Sequence, residues 1–155
     1  MDLGDLIKPD NVLASAKAES KKDLLLALAE RCSVAAGLEA RQIYDALWHR
    51  ERLGSTGLGK GVAIPHARMA DLKSIMCVFA RLEEPLAFDA VDGEPVDLVF
   101  VLLAPEAAGA DHLQALARIS RLIREPAAIE KLRGAKSRGA LYSILTEPLT
   151  SSNAA

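Results

Sequence analysis

Residues Glu51–Arg68 read E-R-L-G-S-T-G-L-G-K-G-V-A-I-P-H-A-R: a glycine-rich loop runs into a short apolar strand, Val62-Ala63-Ile64, which delivers Pro65 and His66 to its end. Gly54, Gly57, Gly59 and Gly61 present no Cβ, so backbone N–H groups can approach a bound anion there. Pro65 has no N–H to offer a neighbouring strand, so the strand ends or lies on an edge at that point. An imidazole beside such a loop is equipped to carry a phosphoryl group. Gly54 to Lys60 also satisfies G-x-x-x-x-G-K, but a nucleotide-binding loop needs Ser or Thr next, then a helix. Here Gly61 and a β pattern follow, so both requirements fail.

Upstream, Ser20-Lys21-Lys22-Asp23 resembles a capping box with Asp in place of Glu and predicts a helix to Ala36, with Leu25, Leu28, Cys32 and Ala35 on its core face. Gly37 closes it. A second helix is predicted over Glu39–Arg52, with Ala40, Ile43 and Leu47 on one stripe. His49, Arg50 and Arg52 fall in its last turn, where cations complement the dipole. His49 reads as a solvated helix end. Arg50 stands where the chain turns into the glycine loop. Nearer the start, Leu3–Ile7 predicts a helical turn and Val12-Leu13 a brief extended segment.

Downstream, Ile75–Leu82 is a nearly continuous apolar run, as in a strand covered on both faces, and Glu83-Glu84-Pro85 is expected to break it. Asp92-Gly93-Glu94-Pro95 reads as a hairpin turn between Phe88–Val91 and Val96–Ala104. Asp111-His112-Leu113-Gln114 reads as an N-cap with Gln at N3, opening a helix to Arg124 with His112 at N1. His112, Leu116, Ile119 and Ile123 then share the inward stripe. Pro126 opens a short helix through Leu132. A last helix carries Leu141, Ile144 and Leu145, and Pro148 ends the ordered part. The reading gives one α/β (α+β) domain over residues 1–148, a mixed sheet layered with helices, and a flexible tail over 149–155.

The 155 residues are half hydrophobic and about a quarter charged, with a net charge of −2, which gives no global attraction to nucleic acid or to anionic membrane. Apolar runs such as Val99–Ala104 are far too short to span a bilayer, and no secretory signal is visible after Met1, so a cytoplasmic location is expected. Cys32 and Cys77 are read as two buried small hydrophobes. The three histidines lack zinc-ligand spacing, so no structural metal is expected.

Phosphoryl handling needs a nucleophile, anion donors and a partner for developing charge. His66 is the best nucleophile, since an ordinary imidazole with a pKa of about 6.5 is substantially neutral at cytosolic pH. Gly54, Ser55, Thr56 and Gly57 are candidate phosphate contacts through backbone N–H groups and hydroxyls. His112 at a helix start could donate to a phosphoryl oxygen, although a buried structural histidine is equally open on the sequence. Arg50 could serve as charge partner.

G-S-T-G-L-G-K-G-V-A-I-P-H-A resembles the active-site region of enzyme IIA domains of the fructose/mannitol class in the bacterial phosphoenolpyruvate-dependent phosphotransferase system. F-D-A-V-D-G-E-P-V-D-L-V-F-V-L-L-A-P and D-H-L-Q-A-L-A-R-I-S-R-L resemble the family's downstream blocks, and the likeness covers about Lys8 to Thr146. It implies a mixed five-stranded sheet flanked by helices on both sides, an accepting histidine at His66, a second histidine at His112 and an arginine at Arg50. It also implies a histidine phosphocarrier as donor, with no cofactor or metal. The chain looks most like the nitrogen-type branch, whose members bind target proteins according to phosphorylation state. The alternative is a sugar-specific member that passes phosphate to a IIB component.

Overall fold

The computed structural model describes residues 1–148; the tail expected over 149–155 lies outside the described residues. Two short 3-10 turns, Leu3–Asp5 and Pro9–Asn11, lead into β1 (Val12–Ala16). Helices α1 (Lys21–Ala36) and α2 (Ala40–Leu53) follow. Five strands come next: β2 (Gly57–Gly59), β3 (Val62–Ala63), β4 (His66–Met69), β5 (Met76–Leu86) and β6 (Val96–Pro105). Three helices close the described chain: α3 (Ala110–Ile123), α4 (Pro126–Gly134) and α5 (Arg138–Thr146).

The sheet is mixed and six-stranded, in the order β1-β5-β6-β3-β2, with β4 also on β6. The family likeness implied five strands. The sixth arises because Pro65 divides one track in two: β3 pairs Val62 with Leu98 of β6, and β4 resumes with His66 opposite Leu102. Between them the Pro65 carbonyl still accepts from Leu102 N–H at 2.9 Å. His66 therefore opens a strand, whereas the sequence placed it at the end of one.

Strand β6 is buried along almost its whole length because helices cover both faces of the sheet. Its side chains alternate accordingly. Leu98, Phe100 and Leu102 join a core with α3, α4 and α5, while Val99, Val101 and Leu103 join a second core with α1 and α2. Phe79 of β5 meets Phe100 edge-to-face at 5.0 Å on the first side. Each fully buried aliphatic or aromatic side chain contributes about 1.5–3 kcal/mol, so this central ladder holds the layers together. Cys32 and Cys77 are free and buried in different cores; burial pushes the Cys32 thiol up to about 12.

Several local expectations are corrected. Glu83-Glu84-Pro85 does not end β5, which runs to Leu86 because these residues sit at its exposed end, across a register irregularity after Arg81. The hairpin partner of β6 is therefore β5, and Phe88–Val91 belongs to the connection. Gly109, with φ 55°, is the N-cap of α3, which puts Asp111 at N2 and His112 at N3. Ser20 caps α1 by accepting from Asp23 N–H, but the Asp23 carboxylate reaches back to Glu19 N–H, not to Ser20. Ala35 is exposed. Gly37 closes α1 in the left-handed conformation (φ 72°), as expected. No helix among the described residues is long and apolar enough to cross a membrane.

Candidate active site

The period-two alternation of β4 sorts its side chains. Ala67 and Met69 pack into the core with α1 and α2, which leaves His66 and Arg68 together on the other face, toward α3. His66 is half-buried, and its Nδ1 lies 2.7 Å from the Ile64 carbonyl oxygen. A carbonyl only accepts, so Nδ1 carries the proton and the Nε2 lone pair remains for chemistry. Burial holds the ring below the usual histidine range; the Ile64 bond opposes this, the Arg50 charge adds to it, and the Glu51 charge opposes it. His66 is therefore held neutral at pH 7.

His112 comes to the same place from α3. The two rings stand 5.7 Å apart between centroids, tilted by 68°. Arg68 Nε donates to His112 Nδ1 at 3.0 Å, so Nδ1 is the unprotonated nitrogen and Nε2 bears the hydrogen. That Nε2–H is buried and has no partner among the described residues. Burial first, then the charges of Arg68 and His66, lowers the pKa of His112. The pair thus combines a free nucleophilic nitrogen with an unsatisfied neutral donor. A phosphoryl group held between them would meet the need of both, its phosphorus facing the His66 lone pair and one of its oxygens accepting from His112 Nε2–H.

Arg50, in the last turn of α2, donates from Nη1 to the Gly54 carbonyl at 2.8 Å and lies near enough to His66 to act on its titration. The structure thus brings His66 and His112 together, with Arg50 bound to the start of the glycine loop. The glycine loop is used differently from the sequence expectation. Glu51 is buried, and its carboxylate accepts from Thr56 N–H (3.0 Å), the Thr56 hydroxyl (2.6 Å) and Lys21 Nζ (3.0 Å). Ser55 donates its hydroxyl to the Phe88 carbonyl and accepts from Gly57 N–H. Gly54 N–H bonds the Glu51 carbonyl. Most donors of Gly54–Gly57 are therefore turned inward, where they brace the loop against α2 and the β5–β6 connection.

Arg68 and Lys21 were not singled out from the sequence. Arg68 was legible only as the second member of P-H-A-R at strand spacing, and Lys21 had no local signal at all. Lys60 sits in the β2–β3 turn with φ 59° and bonds Asp92, with no helix after it, so the G-K pair is turn chemistry. Among the described residues no group of three His, Cys, Asp or Glu is placed to hold a metal ion.

Known proteins match both the chain and the fold. A family described as "Phosphoenolpyruvate-dependent sugar phosphotransferase system, EIIA 2" matches residues 5–147. The chain is 47% identical over 148 residues to a nitrogen regulatory protein of Bradyrhizobium diazoefficiens, covering 96% of this chain and 97% of that one. It is 40% identical over 148 residues to a nitrogen regulatory protein of Pseudomonas aeruginosa, covering 94% and 95%. The crystal structure of the nitrogen regulatory protein IIA-Ntr from Neisseria meningitidis superposes with a TM-score of 0.89 at 36% identity, covering 93% and 99%.

Proposed function

The chain belongs to the EIIA 2 family of the phosphoenolpyruvate-dependent sugar phosphotransferase system, and from that premise we propose that it accepts a phosphoryl group on His66 Nε2 from a histidine phosphocarrier and serves as a nitrogen-type regulator. The observation that carries this reading is the pairing of a His66 ring pinned at Nδ1 with the unpartnered Nε2–H of His112. In the transfer, the N–P bond of the donor phosphohistidine breaks as the His66 Nε2–P bond forms. The PO₃ group passes between them and the donor ring keeps the electron pair. Positioning and charge stabilisation carry such a step, and no metal is needed for the bookkeeping of electrons.

His112 Nε2–H donates to an equatorial oxygen, and Arg50 offsets the developing charge from the loop root. The Ser55 N–H is the loop donor left for the group, since those of Gly54, Thr56 and Gly57 are engaged. Phosphorylation then places about two negative charges on the surface beside β4, enough to separate partners that prefer one state. The likeness to nitrogen regulatory proteins favours regulation over relay to a sugar-specific IIB component.

The test is incubation with enzyme I, a histidine phosphocarrier and radiolabelled phosphoenolpyruvate. Label should be acid-labile and base-stable, and absent from His66→Ala. Label retained by that variant rejects the assignment.

A further inference from the structure

Helix α3 turns Ala115, Ile119 and Leu122 inward, and Arg118 falls on the same side. The residue is only 5% exposed. Nε and Nη1 nevertheless have no acceptor among the described residues, and Nη2 reaches only the Glu147 carbonyl, at 3.5 Å. A guanidinium stays charged, and a buried charge without full pairing is strongly unfavourable. Arg118 belongs to none of the ion pairs among the described residues.

Cavities of about 320 and 380 Å³ are each lined in part by Arg118 and Arg121. Volumes of that size lie at the lower end of small-molecule sites, about 300–1,000 Å³. The larger cavity has apolar walls from Leu122, Ala128 and Ile144 and is edged by the exposed cations Arg121 and Lys131. Glu125 and Glu147 also border it, and Asp2 borders the smaller one; all three are exposed and can turn to water. Neither cavity includes His66, His112 or Arg50 in its lining.

We propose that Arg118, Arg121 and Lys131 form a second ligand site, which takes the carboxylate or phosphate group of a small organic anion whose uncharged body lies against the Leu122–Ala128–Ile144 wall. An oxyanion in either cavity sets a negative charge beside the incompletely paired Arg118 guanidinium, which contributes to both linings. The site is independent of phosphoryl transfer at His66.

Inorganic phosphate and succinate are titrated separately into the full chain at constant ionic strength, with chloride as the control. Nitrogen-15 NMR follows the Arg118 Nε–H and the Lys131 amide, and thermal unfolding is recorded in parallel. At least one oxyanion should give saturable shifts at both positions and raise Tm, while chloride gives neither. Saturation by phosphate alone assigns a phosphate ligand, and by succinate alone a carboxylate. Arg121→Ala and Lys131→Ala should each weaken binding by about two- to fivefold, as expected for exposed charges. Arg118→Leu should abolish saturation at Lys131 and raise the Tm of the free protein. Arg118→Lys, which keeps the charge, should bind more weakly than the native chain and serves if the leucine variant fails to fold. Shifts that never saturate, that chloride reproduces, or that persist without Arg118 overturn the proposal.

Discussion

Arg68 and His112 stand 44 positions apart in the chain and are joined by an N–H···N bond of 3.0 Å that decides which nitrogen of His112 carries its hydrogen. Arg68 Nε–H can only donate, so His112 is fixed as the Nε2–H tautomer, with that hydrogen on the side left unpartnered. Arg68 is thereby a positioning residue, acting through the ring beside it.

Arg68→Met is expected to slow phosphorylation of His66 about three- to tenfold, the rate equivalent of one lost hydrogen bond. Nitrogen-15 NMR of His112 should change from a single tautomer to a mixture. A lower rate with an unchanged tautomer would place the role of Arg68 elsewhere.

Acid should affect both rings in the same direction. Their pKa values are lowered from 6.5 in the folded chain, by burial above all. The unfolded chain thus binds protons at a higher pH than the native one. Their contribution to stability is fully present above pH 6.5 and is lost as pH falls through the lowered native values. The ring-proton titration midpoints of His66 and His112 should both lie below that of an unfolded histidine, and a midpoint at or above it for either ring would contradict the dominance of burial over the charges around it.

Thr56→Val removes the hydroxyl that donates to buried Glu51 at 2.6 Å while keeping shape and volume. The carboxylate keeps Lys21 and the Thr56 N–H, so the expected loss is about 1–3 kcal/mol, read by urea denaturation. A change within experimental error would show that the hydroxyl is dispensable to the brace.

A Cβ at Gly57 would sit 2.8 Å from Ala90 Cβ and 3.0 Å from Ala90 Cα. Neither atom can swing aside, so Gly57→Ala should cost about 1–3 kcal/mol through overpacking and shift the amide signals of the β5–β6 connection. Gly134→Ala is the control: it meets nothing within 4 Å and should leave stability equal or slightly higher. Equal stability of the two variants would mean that the loop is not clamped against Ala90.

The sequence carried the helices and the central strand well, because their signals are local. Ser20 and Gly37 bracket α1 by capping chemistry, and the apolar run Val96–Ala104 was legible as one strand of a hairpin. Strand β4 was not legible. Four residues with two polar members gain strand geometry only because β6 extends far enough to pair them. Arg68 was missed for that reason, since its place beside His66 exists only once the strand does. The start of α3 was misplaced by two residues because Gly109 takes a conformation that opens the helix ahead of the attractive Asp111. His66, His112 and Arg50 were singled out because each stands near an element boundary marked by proline, glycine or a cap. The loop donors were assigned to phosphate because the buried carboxylate that takes them, Glu51, is invisible until α2 and the loop are packed together.

The central claim is that His66 Nε2 is the atom that bonds phosphorus, since Nδ1 is held by the Ile64 carbonyl. Nitrogen-15 NMR of the protein phosphorylated by enzyme I, phosphocarrier and phosphoenolpyruvate tests it directly. Phosphorus coupling confined to Nε2 of His66 is the result expected; coupling at Nδ1, or at any other residue, would contradict the account.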